Sequence, residues 1–169
     1  NNSAQLSINK CANYVDKPSV YVGLYGEAKA GEIITVIPKL TPCLHCVVGG
    51  VRSNLTVGSQ NNRTTNYGTG RLEAETALGA SIHFVSIAAV KVILSLISCL
   101  KSDTVDKKNL ALGILKNNLS LGILSSDPDY WFFPELFNDT KGQLAFQSAW
   151  FEAIKNNDCP ICAEEQDDD

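Results

Sequence analysis

The sequence predicts an α/β fold. Two segments rich in Val, Ile and Tyr, SVYVGLY and EIITVIP, flank the polar, glycine-bounded stretch GEAKAG and read as two strands joined by a hairpin loop. A helical segment precedes them and a long apolar one follows. With 169 residues, 44% of them hydrophobic, the chain suits a single domain over 1–169 with a real core.

Taken in order, Ala4 to Val15 reads as a helix with Leu6, Ile8 and Ala12 or Val15 on its apolar face, stopped at Asp16-Lys17-Pro18 as a proline requires. The strand pair follows, and Pro38 ends its second member. After TPCLHC comes GGVRSNLTVGSQNNRTTNYGTG, whose Gly, Asn, Ser and Thr content predicts a mobile loop rather than regular structure. Ala77 to Leu100 is apolar and long enough to raise a membrane span. His83, Lys91 and four serines argue against it, since a lysine at the bilayer centre costs about 2.5–3.5 kcal/mol. The segment is expected as the central buried helix of a soluble domain. Asp103 to Lys108 reads as a polar turn, and the two LGIL copies after it are too short and too few to form a repeat architecture. PDYWFFPELF is expected to pack over the sheet or against a partner. GQLAFQSAWFEAI suits a short helix or strand, and EEQDDD a solvated acidic tail.

Net charge −4 and the lack of a basic run give no electrostatic attraction for nucleic acid or an anionic membrane, so neither is expected as a partner. The first residues have neither the basic nor the apolar region of a secretory signal. The chain contains no Met, so Asn1 is not expected to be the natural start of translation. Five N-x-S/T sequons leave a secreted, glycosylated domain as a minor alternative.

Six cysteines ask for a reason beyond stability in a chain of this size. Four of them form two Cys-x-x-Cys pairs, Cys43/Cys46 and Cys159/Cys162, each with a proline beside it, Pro42 and Pro160. Two residues between cysteines let a tight turn aim both thiolates at one ion, and tetrahedral zinc takes two such turns. Metal ligands are therefore expected at Cys43, Cys46, Cys159 and Cys162, with disulfides or unliganded buried thiols as the alternatives. Four thiolates leave no open position, so the zinc is expected to be structural. A thioredoxin-type site is disfavoured because neither pair is expected to follow a strand and open a helix. His45 is either a spacer or a substitute ligand. Cys11 and Cys99, on helical segments, are expected to be small buried apolar residues.

The order of parts, KPSVYVGLYGEAKAGEIITVIP running into TPCLHC, then a loop, an apolar helix and a late CPIC, resembles the carboxy-terminal half of the ThiF/MoeB/HesA family of activating enzymes related to ubiquitin E1. Asn1 and Asn9 match an Asp-Asn segment and the Asn about eight residues later in that family. The resemblance implies a Rossmann-like domain with a mixed sheet, flanking helices and a zinc-stapled edge, in a cytoplasmic protein. It implies a parent that uses ATP and Mg to adenylate the terminal carboxylate of a ubiquitin-like or sulfur-carrier protein, paired as a homodimer or a heterodimer with an E1-like subunit. The nucleotide-binding half would lie upstream, and none of its motifs is present, so this part is expected to be inactive alone. Gln5 stands where an Arg is frequent in the family, and residues 47 to 98 contain no Cys for a thioester or persulfide. Arg52, Arg63 and Arg71, the only arginines, lie in or beside the loop and suit the grip of a carboxylate or phosphate. The competing reading is a non-catalytic, zinc-stabilised protein-interaction module or a pseudo-enzyme partner subunit.

Overall fold

The structure is a computed structural model that describes residues 2–49, 77–101, 119–128, 130, 137 and 146–163. Helix α1 (Asn2–Tyr14) leads into β1 (Ser19–Tyr25) and β2 (Ala30–Val36). A short helix, α2 (Leu44–Gly49), carries the first cysteine pair, and α3 (Gly79–Lys101) is the long apolar helix. Strands β3 (Leu121–Ser125) and β4 (Gln147–Phe151) complete a four-stranded sheet ordered β1-β2-β3-β4.

Every pairing in this sheet is antiparallel. The architecture is thus helices on an antiparallel sheet, and the parallel pairs that a mixed sheet requires do not occur among the described residues. The β1–β2 turn occupies Gly26 to Lys29, with the Lys29 amide donating to the Gly26 carbonyl at 2.9 Å. Gly26, Glu27 and Ala28 all adopt positive φ there. Glycine is indispensable at the first position, because an added Cβ would stand 2.5 Å from the Tyr130 ring.

Strands β2 and β3 are buried throughout, which makes them the centre of a three-layer arrangement. One face of the sheet carries Ile33 and Leu124 against Val85, Ala89 and Val92 of α3. The other carries Tyr21, Ala30, Ile34, Leu121 and Ile123 against Leu44, Val47 and three of the cysteines, with Leu6 of α1 at its margin. Alternate side chains of one strand therefore bind the two layers together. Gly31 lets α3 approach the sheet, since a Cβ there would meet Val85 Cγ2 at 2.8 Å. Phe146, just before β4, packs edge-on against Phe84 of α3 at a centroid distance of 5.2 Å.

Helix α3 differs from the central buried helix expected. Val85, Ala89, Val92 and Leu96 face inward at helical spacing, whereas Ile87, Val90, Leu94 and Ile97 stand exposed on the opposite side. The helix covers one face of the sheet and has no described layer over its own back. Gly79–Cys99, with hydropathy 2.1, is long and apolar enough to cross a membrane by length and composition.

The apolar face expected for α1 is also corrected. Leu6 packs inward, but Ile8 and Val15 are exposed, and the residue fully buried is Asn9. Cys11 is exposed rather than buried, and Cys99 is half-buried. The loop over 49–70 with Arg52 and Arg63, Arg71 beside it, the turn at Asp103 to Lys108, the first LGIL copy, Asn1 and the acidic tail lie outside the described residues, apart from Gly49 at the end of α2. Of the aromatic segment, Tyr130 is buried and Phe137, half-buried, packs against the same cluster.

Candidate metal centre

The first cysteine turn is built by the end of β2. After Val36 the chain folds back so that Leu40 N and Thr41 N both donate to the Ile37 carbonyl, at 3.0 Å each. Thr41 Oγ1 accepts from Ile37 N at 2.8 Å, which closes the turn. Lys39, at positive φ, is tied to Asp16 by an exposed ion pair of 2.8 Å, too solvated to add much stability. Pro42 then delivers Cys43 to the start of α2, and Cys46 falls within that helix.

This arrangement corrects one expectation: the first pair does open a helix after a strand. The thioredoxin reading gains nothing from it, because Cys43 has two cysteines of the distant pair among its neighbours rather than Cys46 alone. The second turn is prepared by Asn156, whose side-chain oxygen accepts from Asp158 N at 3.0 Å and whose carbonyl accepts from Cys159 N at 3.1 Å. Ala163 N donates to the Cys159 carbonyl at 3.0 Å and completes the knuckle.

Four sulfurs meet. Cys43 Sγ lies 3.9 Å from Cys46 Sγ and 3.6 Å from Cys159 Sγ, while Cys46 Sγ lies 3.5 Å from Cys162 Sγ. All four are within 4.8 Å of one another. Zinc–sulfur bonds of about 2.3 Å in a tetrahedron put ligand sulfurs about 3.8 Å apart, so the cluster has the dimensions of a four-thiolate metal site. The pairs separated by 116 residues are brought together as expected, and the cysteines are thiols, not disulfides. His45 Nδ1 stands 3.7 Å from Cys159 Sγ, a hydrogen-bond neighbour of one ligand sulfur rather than a member of the set.

The electrostatics suit a divalent ion. Burial raises the Cys159 thiol, but the backbone amides of Ile161 and Cys162 and the neighbouring Cys46 and Cys43 more than offset it and hold the group at about 6. Burial pushes Cys43 and Cys162 upward. Four sulfurs this close cannot all ionise without a cation among them. When bound, zinc would supply that charge and cross-link the early and late parts of the chain; it would do so through Cys43, Cys46, Cys159 and Cys162.

Two further features were not legible as parts of the site. Asn9, fully buried, accepts from Leu44 N through Oδ1 at 3.0 Å and so caps α2 from α1. Its signal was a polar residue at the inward spacing of an amphipathic helix. The second feature is a groove of about 480 Å³ beside the centre, lined by Pro38, Leu40, Pro42, Ile154, Lys155 and Cys162 among others. Cys162, half-buried, is the ligand it reaches. Gln5 donates to the Val22 carbonyl at 3.2 Å and ties α1 to β1. No protein-family profile matches this chain, and no curated protein matches it either.

Proposed function

We propose that this chain is the zinc-stapled, carboxy-terminal part of an E1-like adenylating enzyme of the ThiF/MoeB/HesA type. The observation that carries the reading is the closure of Cys43/Cys46 onto Cys159/Cys162 directly after an antiparallel hairpin, in the order of parts that the resemblance requires. In such a parent, the terminal carboxylate of a ubiquitin-like or sulfur-carrier protein attacks the α-phosphate of ATP with Mg present, and pyrophosphate leaves. That chemistry rests on positioning and on neutralising phosphate charge, and its residues belong to the nucleotide-binding half. The part described here would hold the zinc and stiffen the sheet edge beside the site. Thiols kept reduced suit a cytoplasmic location.

The exposed stripe Ile87, Val90, Leu94 and Ile97 supports a partner subunit, and it favours the second reading equally, a zinc-stabilised interaction module without catalysis. ATP–pyrophosphate exchange separates the two. The chain is assayed joined to its nucleotide-binding half, with carrier proteins ending in a free carboxylate and with the same carriers amidated there. Exchange that needs the free carboxylate supports the enzyme. A zinc-replete protein that exchanges nothing with either leaves the interaction module.

A further inference from the structure

We propose that His45 is a positioning residue of the metal centre: its Nδ1–H donates to the Cys159 sulfur and clasps the second cysteine turn to the helix that carries part of the first. The inference rests on the reading of the four sulfurs as a metal site.

Position is the first observation. Helix α2 opens with Leu44, His45, Cys46 and Val47, of which Leu44, Cys46 and Val47 are buried in the core and His45 is half-buried. The imidazole is thus held at the margin of the core, and its Nδ1 lies 3.7 Å from Cys159 Sγ. The same sulfur lies 3.6 Å from Cys43 Sγ. The first turn therefore reaches Cys159 twice, once through a sulfur and once through a ring nitrogen two residues further on. Cys159 is 1% exposed, so its sulfur depends on protein groups rather than bulk water for hydrogen bonds.

The direction of the bond follows from what metal binding does to the sulfur. A cysteine that ligates zinc has given up its proton and can only accept, so the nitrogen facing it must carry the hydrogen. Ligation by the ring itself is a different arrangement. Four sulfurs complete the tetrahedron of a zinc site, and the four that lie within 4.8 Å of one another do not include His45. Four thiolates on a divalent ion leave a net negative charge, which an N–H donor spreads and stabilises. His45 supplies that donor across the fold, to a sulfur of the other turn, so each turn helps to hold the other.

The tautomer of the ring reports the contact, because the hydrogen bond decides which nitrogen keeps the proton. It is read by long-range proton–nitrogen correlation on nitrogen-15-labelled, zinc-loaded protein in mildly alkaline buffer. His45 is expected as the Nδ1–H form, and exposed His83, the other histidine, as the Nε2–H form that free imidazole prefers. A His45 ring protonated on Nε2 alone overturns the proposal, whether the ring ligates the metal through Nδ1 or stands free. Two variants test the energetics: His45→Asn keeps an N–H donor near the place of Nδ1, and His45→Phe keeps a ring without one. Zinc affinity is measured by competition with a chromophoric chelator, and cobalt(II) is substituted to read the sulfur-to-metal charge-transfer band. His45→Phe is expected to bind zinc about 10–100-fold more weakly with a shifted cobalt band, and His45→Asn to recover most of the affinity and the wild-type band. A Phe variant within about twofold of wild type with an unshifted band, or an Asn variant weakened as much as the Phe variant, overturns the role of His45 and leaves the metal centre standing. A wild-type protein that takes up neither metal overturns both. Should a variant not fold, the tautomer in the wild-type protein decides.

Discussion

Cys46 Sγ and Cys162 Sγ lie 3.5 Å apart, closer than Cys46 lies to Cys43, its partner three residues away at 3.9 Å. The contact across the fold is thus tighter than the contact within the turn. Each Cys-x-x-Cys turn supplies half a tetrahedron, and the sheet between them supplies the registry. Native mass spectrometry under reducing conditions is expected to find one zinc per chain, and replacing Cys46 or Cys162 by Ser is expected to remove it. A variant that retains stoichiometric zinc would show that the four-sulfur set is not the site.

Stripping the metal makes a prediction of its own. With zinc chelated and hydrogen peroxide added, disulfides are expected to link Cys43 to Cys159 and Cys46 to Cys162, because those sulfurs are 3.6 and 3.5 Å apart. Each bond releases two thiol protons and two electrons, and the peroxide is reduced to water. The Cys159 thiolate is the expected first nucleophile, and half-buried Cys162 is the sulfur that the groove by Leu40 and Ile154 opens to solvent. Peptide mapping decides it: bonds within each pair instead would mean that the two turns part when the metal leaves.

Metal uptake is tied to pH by the same sulfurs. Burial pushes Cys43 and Cys162 upward, while amides and neighbouring thiols outweigh burial at Cys159 and bring it to about 6. Near neutral pH the metal-free site therefore holds protons on Cys43 and Cys162 and a thiolate on Cys159. Protons compete with the ion, so zinc affinity rises with pH, by about tenfold per unit for each proton expelled. As pH falls through about 6 the slope steepens, because Cys159 protonates as well. Chelator competition at a series of pH values measures the slope, and a flat profile would exclude thiolate ligation.

How far the sequence reveals this molecule depends on where the information lies. Spacing alone located the four cysteines that meet, since a two-residue gap dictates a turn whatever surrounds it. The hairpin was equally plain, with Val, Ile and Tyr on either side of a glycine-bounded loop. Strand β3 was not, because LGIL alternates nothing; buried on both faces, it reads as a short apolar run that fits helix and strand alike. The inward Asn9 and outward Ile8 reversed the usual sorting, for a reason that sits in α2, far along the chain. Apolarity all round α3 suggested a helix buried on every side, and periodicity could not reveal which side met the sheet.

Gly31 is where that meeting is closest. An added Cβ would stand 2.8 Å from Val85 Cγ2 and 2.9 Å from the Gly23 carbonyl oxygen. Backbone on one side leaves only α3 to move. Gly31→Ala is expected to destabilise the fold by about 1–3 kcal/mol, as overpacking in a close-packed core does. Urea denaturation of the zinc-loaded protein measures it, and a variant as stable as wild type would mean that α3 shifts freely on the sheet.

The two sides of α3 can be told apart by a pair of substitutions two residues apart. Leu96 is 5% exposed and packs with Ile37, whereas Leu94 is 60% exposed on the outer stripe. Truncating a buried leucine loses its transfer free energy and leaves a cavity, so Leu96→Ala is expected to cost about 2–5 kcal/mol. Leu94→Ala removes only solvent-facing surface and is expected to stay within about 0.5 kcal/mol of wild type. Denaturation at low protein concentration compares them. A large cost at Leu94 as well would mean that the outer stripe is covered in solution, and repeating the titration at higher concentration would identify the cover: a midpoint that rises with concentration belongs to a second copy of the chain, and one that does not belongs to the chain itself.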